Sequence, residues 1–216
     1  MDEIIIGSIP LLIAFGVSLI RYKKLEPRWL RLFTYFLLAT FLIQTVGYLY
    51  SALLKKSNHF IFNCYTLFEF EFLFVVFFKA LGRKIFKNIV IFIALTFTLV
   101  YIYEVFIQGH FFIYSPFASN AGKFLTLLCC MLYLTELLMA DEYVSFFRTP
   151  MFWIATGIMI AAVGDFLYLC FFDYIITNKL DPEGRVYGII TTSLSVIEYG
   201  FFTIGFLCKK TWIKNK

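Results

Sequence analysis

Charge is what this chain has least of. Asp, Glu, Lys and Arg make up 15% of the 216 residues, against about 25% in a typical soluble domain. Apolar residues reach 61% and the mean hydropathy is +0.83, which excludes a water-soluble globular protein. At about 20 apolar residues per span the length allows seven or eight transmembrane helices and leaves no room for a soluble catalytic domain, so residues 1–216 read as one transmembrane domain. Strands would show short alternating segments instead of long continuous runs, so the expected class is all-α and polytopic.

Other scarcities remove particular chemistries. The two histidines, His59 and His110, fall at span edges, and intramembrane zinc hydrolysis needs clustered His ligands. The last apolar run contains no lysine for a retinal Schiff base. Ser193 and Ser195 have no histidine to activate them as nucleophiles. The five cysteines, Cys64, Cys129, Cys130, Cys170 and Cys208, lie in spans or at a span edge, spaced for neither a metal site nor an exported disulfide. No metal, no cofactor and no nucleic-acid partner is expected. Enzymatic activity is the less favoured reading.

Seven apolar runs are present, at about 4–20, 31–54, 60–78, 86–107, 121–140, 151–176 and 187–208. Met1-Asp2-Glu3 is acidic where a secretory signal is basic, so the first run reads as a retained helix. Of the 19 basic residues, fourteen fall on one face, around Arg21–Arg31, Lys79–Lys87, Arg148 and Lys209–Lys216. Lys55, Lys56, Lys123, Lys179 and Arg185 fall on the other. The positive-inside rule then predicts seven spans with the N-terminus outside and the C-terminus in the cytoplasm.

Against this background seven of the 14 acids lie in or beside spans: Glu69, Glu71, Glu104, Glu136, Asp165, Asp173 and Glu198. Intramembrane ionisable groups cost about 2.5–3.5 kcal/mol each on insertion scales, so they are functional candidates. At 1.5 Å of rise per residue, Gln44, Glu69, Asp165 and Glu198 fall within about 5 Å of their span centres. The expected site is a polar midplane cavity lined by Glu69, Asp165 and Glu198 with Gln44, Tyr48 and Tyr65, extended outward by Asn63. Glu71 lies about 200° around the helix from Glu69 and faces elsewhere. No lysine or arginine is expected deep in any span, which leaves the carboxyls without a balancing base and calls for at least one to be neutral. The alternative is that the acids only make interhelical hydrogen bonds.

Spans one to three and five to seven would share one orientation, joined by span four. Pro27-Arg28-Trp29 and Pro150-Met151-Phe152-Trp153 open spans two and six, while Leu67-Phe68-Glu69-Phe70 and Val196-Ile197-Glu198-Tyr199 lie in spans three and seven. This pattern resembles the 3+1+3 parallel repeat of SWEET-type carriers; without the Pro-Gln signature of that group it implies architecture only and no sugar substrate. Ala162-Val163-Gly164-Asp165 resembles the Gly-x-Gly-Asp motif of intramembrane aspartyl proteases but lacks the first glycine, and no second aspartate stands on a suitable helix. Asn63-x-Tyr65-x-Leu67-x-Glu69 and Phe152-Trp153-Ile154-x-x-Gly157 resemble uncharacterised bacterial seven-helix proteins, which implies a bacterial inner-membrane location and no activity.

Three classes of function stay open: binding or transport of a small ligand or of protons through the carboxyl-lined cavity, an intramembrane enzyme acting on a lipid or isoprenoid, and a signalling subunit. Besides membrane lipids, the expected partners are a small-molecule or lipid ligand and a protein docking on the basic cytoplasmic face. The oligomeric state is open.

Overall fold

The computed structural model describes residues 2–113, 115–139, 146–171, 174–175, 178, 181 and 185–208, with the side chains of all of these except 2–7, 116, 169 and 187. Among them the chain is helical, with no strand. The long helices are α1 (Asp2–Ile20), α2 (Leu32–Leu54), α3 (His59–Ala80), α4 (Lys84–Ile102), α5 (Pro116–Leu138), α6 (Pro150–Cys170) and α7 (Arg185–Leu207). α4 runs on through one π-helical turn, Tyr103–Ile107. A backbone in lipid must satisfy its own hydrogen bonds, and unbroken apolar runs meet that demand as helices.

Local chemistry sets the ends. Proline is favoured in a first helical turn, where its missing N–H has no partner to lose, and α5 and α6 begin at Pro116 and Pro150. α2 stops where Lys55 turns left-handed (φ 50°) and its N–H bonds the Ser51 carbonyl. Six of the helices are long and apolar enough to cross a membrane; in α1 the apolar stretch Ser8–Ile20 is shorter. This is a multi-pass membrane protein. Two boundaries differ from expectation. α5 starts at residue 116 instead of 121, and α6 ends at Cys170 instead of the expected 176, which lies outside the described residues; between Cys170 and α7 the described residues are helical only at Tyr174–Ile175.

α1, α2, α3, α5, α6 and α7 close a ring in that order, each packed on the next and α7 back on α1. α4 lies outside it, against α3 and α5. One end of the ring carries exposed Lys23, Lys24, Arg28, Arg83 and Lys84, and the packing is tightest towards that end. The buried side chains of α7, Tyr199, Phe202 and Phe206, are all in its C-terminal half; none of those described from Arg185 to Glu198 is buried. In α2 the buried positions run from Phe33 to Thr40, with only Gly47 beyond.

Rings seal the basic end. Phe33 sits 5.3 Å from Phe72, 5.5 Å from Phe202 and 6.0 Å from Phe206, each edge-on. Phe36 stacks on Phe72 at 4.3 Å. Such pairs add about 0.5–1.5 kcal/mol each beyond area burial, and they tie α2, α3 and α7 together below the middle of the ring.

α6 and α7 approach closely because Gly157 has no side chain: a Cβ there would lie 2.6 Å from Phe201 Cβ and 3.2 Å from the Glu198 carbonyl. We predict that Gly157→Ala lowers stability by about 1–3 kcal/mol through overpacking. Gly16→Ala and Gly200→Ala, where nothing lies within 4 Å, should raise it by about 0.5–1 kcal/mol through helix propensity. Thermal unfolding of the purified variants in detergent checks the opposite signs.

Candidate functional site

Four ionisable side chains from four helices border one small cavity inside the ring: Glu69 of α3, Lys123 of α5, Asp165 of α6 and Glu198 of α7. Its volume is about 40 Å³, with Thr126, Phe70, Leu73, Ile158, Ala161 and Ala162 completing the wall. Lys123 Nζ donates to Asp165 Oδ2 at 2.8 Å, and both side chains are about four-fifths buried. Counting from the less basic end at 1.5 Å per residue puts Asp165 and Lys123 about 8–11 Å deep, Glu69 about 15 Å and Glu198 about 20 Å. The polar groups therefore form a staircase into the middle of the ring, ending where the phenylalanine seal begins.

Lys123 corrects the expectation that no lysine or arginine lies deep in a span. Starting α5 at Pro116 places Lys123 two turns inside the helix, and its four-carbon arm can carry the ammonium along an apolar wall to a partner. The neighbouring Gly122 permits the approach. A Cβ at that position would meet the Phe70 ring at 2.3 Å, so the glycine lets α3 lie flush against α5. Ser115-Pro116 was the available signal, since a proline at a first helical turn argues for the earlier start.

Tyr65 joins the cluster from the side. Thr40 Oγ1 donates to the Phe36 carbonyl at 2.9 Å, so the Tyr65 hydroxyl donates to Thr40 Oγ1 at 3.0 Å. Tyr65 and Tyr199 both lie within electrostatic reach of Glu69 and Glu198. Thr40, Thr126 and Tyr199 had no distinguishing sequence pattern. Tyr65 itself is not part of the cavity wall, and three other expected members do not line it either. Tyr48 is exposed and Gln44 partly exposed on the loosely packed half of α2. Asn63 is 4% exposed and committed elsewhere: Asn63 Nδ2 donates to the carbonyls of His110, Phe111 and Ile113 at 2.9–3.0 Å, and Tyr101 Oη donates to its carbonyl at 2.9 Å. An amide that clamps three carbonyls of one turn is a structural fastener.

The remaining acids hold α4 onto the ring. Thr98 Oγ1 of α4 donates to Glu71 Oε1 at 2.7 Å. Glu104, 2% exposed, accepts the N–H groups of Phe117 and Ala118 at the start of α5, with His110 Nδ1 3.8 Å away. Glu136, near the end of α5, accepts the N–H groups of Gly82 (2.6 Å) and Arg83 (3.3 Å) just before α4. α4 and α5 thus cap each other's N-termini reciprocally. A carboxylate in that position contributes about 0.3–2 kcal/mol and supplies acceptors to otherwise unpaired N–H groups. Asp173 lies outside the described residues.

A second concavity, about 450 Å³ and apolar, lies on α6 and the start of α7 against Gly164, Leu167, Tyr168, Phe171 and Ile190. No protein-family model, curated protein or solved structure matches this chain, so the reading of the site stands on its geometry.

Lys123→Met should leave Asp165 without its partner and cost about 1–3 kcal/mol, between the values for exposed and fully buried pairs. Adding Asp165→Leu should recover most of that loss. A double-mutant cycle by thermal unfolding measures the coupling; additive losses would mean that the pair contributes nothing.

Proposed function

We infer that this protein binds or transports a small ligand or protons across the membrane through the carboxyl-lined cavity. The observation that carries the reading is the convergence of Glu69, Asp165 and Glu198 with Lys123 on one space inside the helical ring. Ionisable groups at that depth line pathways or pair with one another, and here three carboxyls face a single ammonium. The packing supports a direction of access: the half of the ring away from the basic end is loose, and the basic end is sealed by phenylalanine. In the proposed topology seven helices span a bacterial inner membrane, the basic end is cytoplasmic, and the carboxyls are reached from outside. The basic face then attracts anionic lipid and offers a docking surface to a protein partner.

A second reading, action on a lipid or isoprenoid, draws on the apolar groove of about 450 Å³ beside Gly164, which is within the size range of small-molecule sites. It predicts that a lipid copurifies with the protein and is lost when Leu167→Trp, at an exposed position of the groove wall, narrows the groove, as read by mass spectrometry.

The transport reading is tested in proteoliposomes with three probes: protons followed by an internal pH-sensitive dye under a valinomycin-set potassium potential, radiolabelled choline, and radiolabelled glucose. At least one should enter faster than into empty liposomes. The combined Glu69→Gln, Asp165→Asn and Glu198→Gln variant should reduce that flux to the empty-liposome level. A flux that survives the triple substitution removes these residues from the mechanism.

A further inference from the structure

We propose that the ligand of the cavity is a proton, held with one water molecule among the Glu69 and Glu198 carboxyls and the Thr126 hydroxyl, beside the Lys123–Asp165 pair. This rests on the transport reading and narrows it. Size decides first. Drug-sized ligands occupy pockets of about 300–1,000 Å³, whereas this cavity has about 40 Å³. A water needs only about 10–15 Å³ of probe-occupied volume and two to four polar partners.

The second observation is independent of the acids. Thr126 is 1% exposed, lines the cavity, and its Oγ1 has no hydrogen-bond partner. An unpaired buried hydroxyl is destabilising, and a water between it and the carboxyls removes that cost. A hydroxyl both donates and accepts, so it can orient such a water for either direction of proton movement. A metal ion fits less well: among the described residues no three His, Cys, Asp or Glu side chains are grouped closely enough to hold one.

Charge distribution points the same way. Lys123 is engaged by Asp165 at 2.8 Å, which leaves Glu69 and Glu198, on different helices, with no base of their own. The titratable groups facing them are Tyr65 of α3, Lys123 and Cys130 of α5, Asp165 of α6 and Tyr199 of α7. Only Lys123 among these is basic. A proton supplies the positive charge that the pair lacks. It arrives on the water, passes to a carboxylate oxygen, and leaves by the reverse step. Each hop breaks one O–H bond and makes another, so no co-reactant is required.

The three-probe proteoliposome assay, extended to Thr126→Val and Thr126→Ser, tests this. Protons should enter while choline and glucose do not, and replacing external choline chloride by sodium chloride should leave proton entry unchanged. Thr126→Val keeps the side-chain volume and removes a hydroxyl with no protein partner, so its Tm should equal or exceed that of the wild type. Its proton flux should nevertheless fall about tenfold, the scale of one hydrogen bond to a charged group. Thr126→Ser should restore it. Carboxyl-dependent entry of choline or glucose without proton movement would overturn the proton assignment and leave the wider transport reading standing. Proton entry that requires external sodium would overturn it in favour of a metal cation, and undiminished flux in Thr126→Val would overturn the hydroxyl–water station. If none of the three probes moves, it is the transport reading itself that fails.

Discussion

A carboxyl group inside an apolar helical bundle has to meet a donor. Leaving one unpaired costs more than any single packing contact returns, so the positions of the acids constrain where the helices can lie. Here they separate into two sets. Glu71, Glu104 and Glu136 each meet a hydroxyl or backbone N–H across the boundary of α4, and Asp165 meets Lys123. Glu69 and Glu198 face the cavity. Glu71, Glu104 and Glu136 fasten the peripheral helix, whereas Asp165, Glu69 and Glu198 face the inside of the ring.

The fastening is geometrically economical. An antiparallel pair places the last turn of each helix beside the first turn of the other, so one glutamate near each C-terminal end can reach the unpaired N–H groups opposite. α4 and α5 use this at both ends, and Asn63 fixes the turn between them. With α4 held in place, α3 and α5 are held too, and these helices carry Glu69, Lys123 and Thr126.

The ring is unequal along its length. Phenylalanines from α2, α3 and α7 close one half, while the described side chains of α7 before Tyr199 remain at least partly exposed. The carboxyls sit at the junction of the two halves. Volume there separates candidate ligands more sharply than composition does, because about 40 Å³ admits water and excludes an organic molecule unless the helices move.

Helical class, membrane character and most span boundaries were legible in hydropathy, because a bilayer demands long apolar runs and little else resembles them. Rise per residue places Glu69 and Glu198 near the middle of their helices, but the expected common layer does not include Asp165, which stands only five residues from the end of α6 at Cys170. Which acids share a space was not legible. Glu69 and Glu71 are separated by rotation about one helix, but Glu104 and Glu136 find their donors on helices whose placement no local pattern encodes. Lys123 shows the limit most clearly. Its sequence position, counted from an expected start at 121, put it at the edge of a span, and the start at Pro116 with Gly122 against Phe70 puts its ammonium beside Asp165. Hydropathy measures each residue against lipid one at a time, whereas a partner for a buried charge exists only once helices distant in sequence have packed.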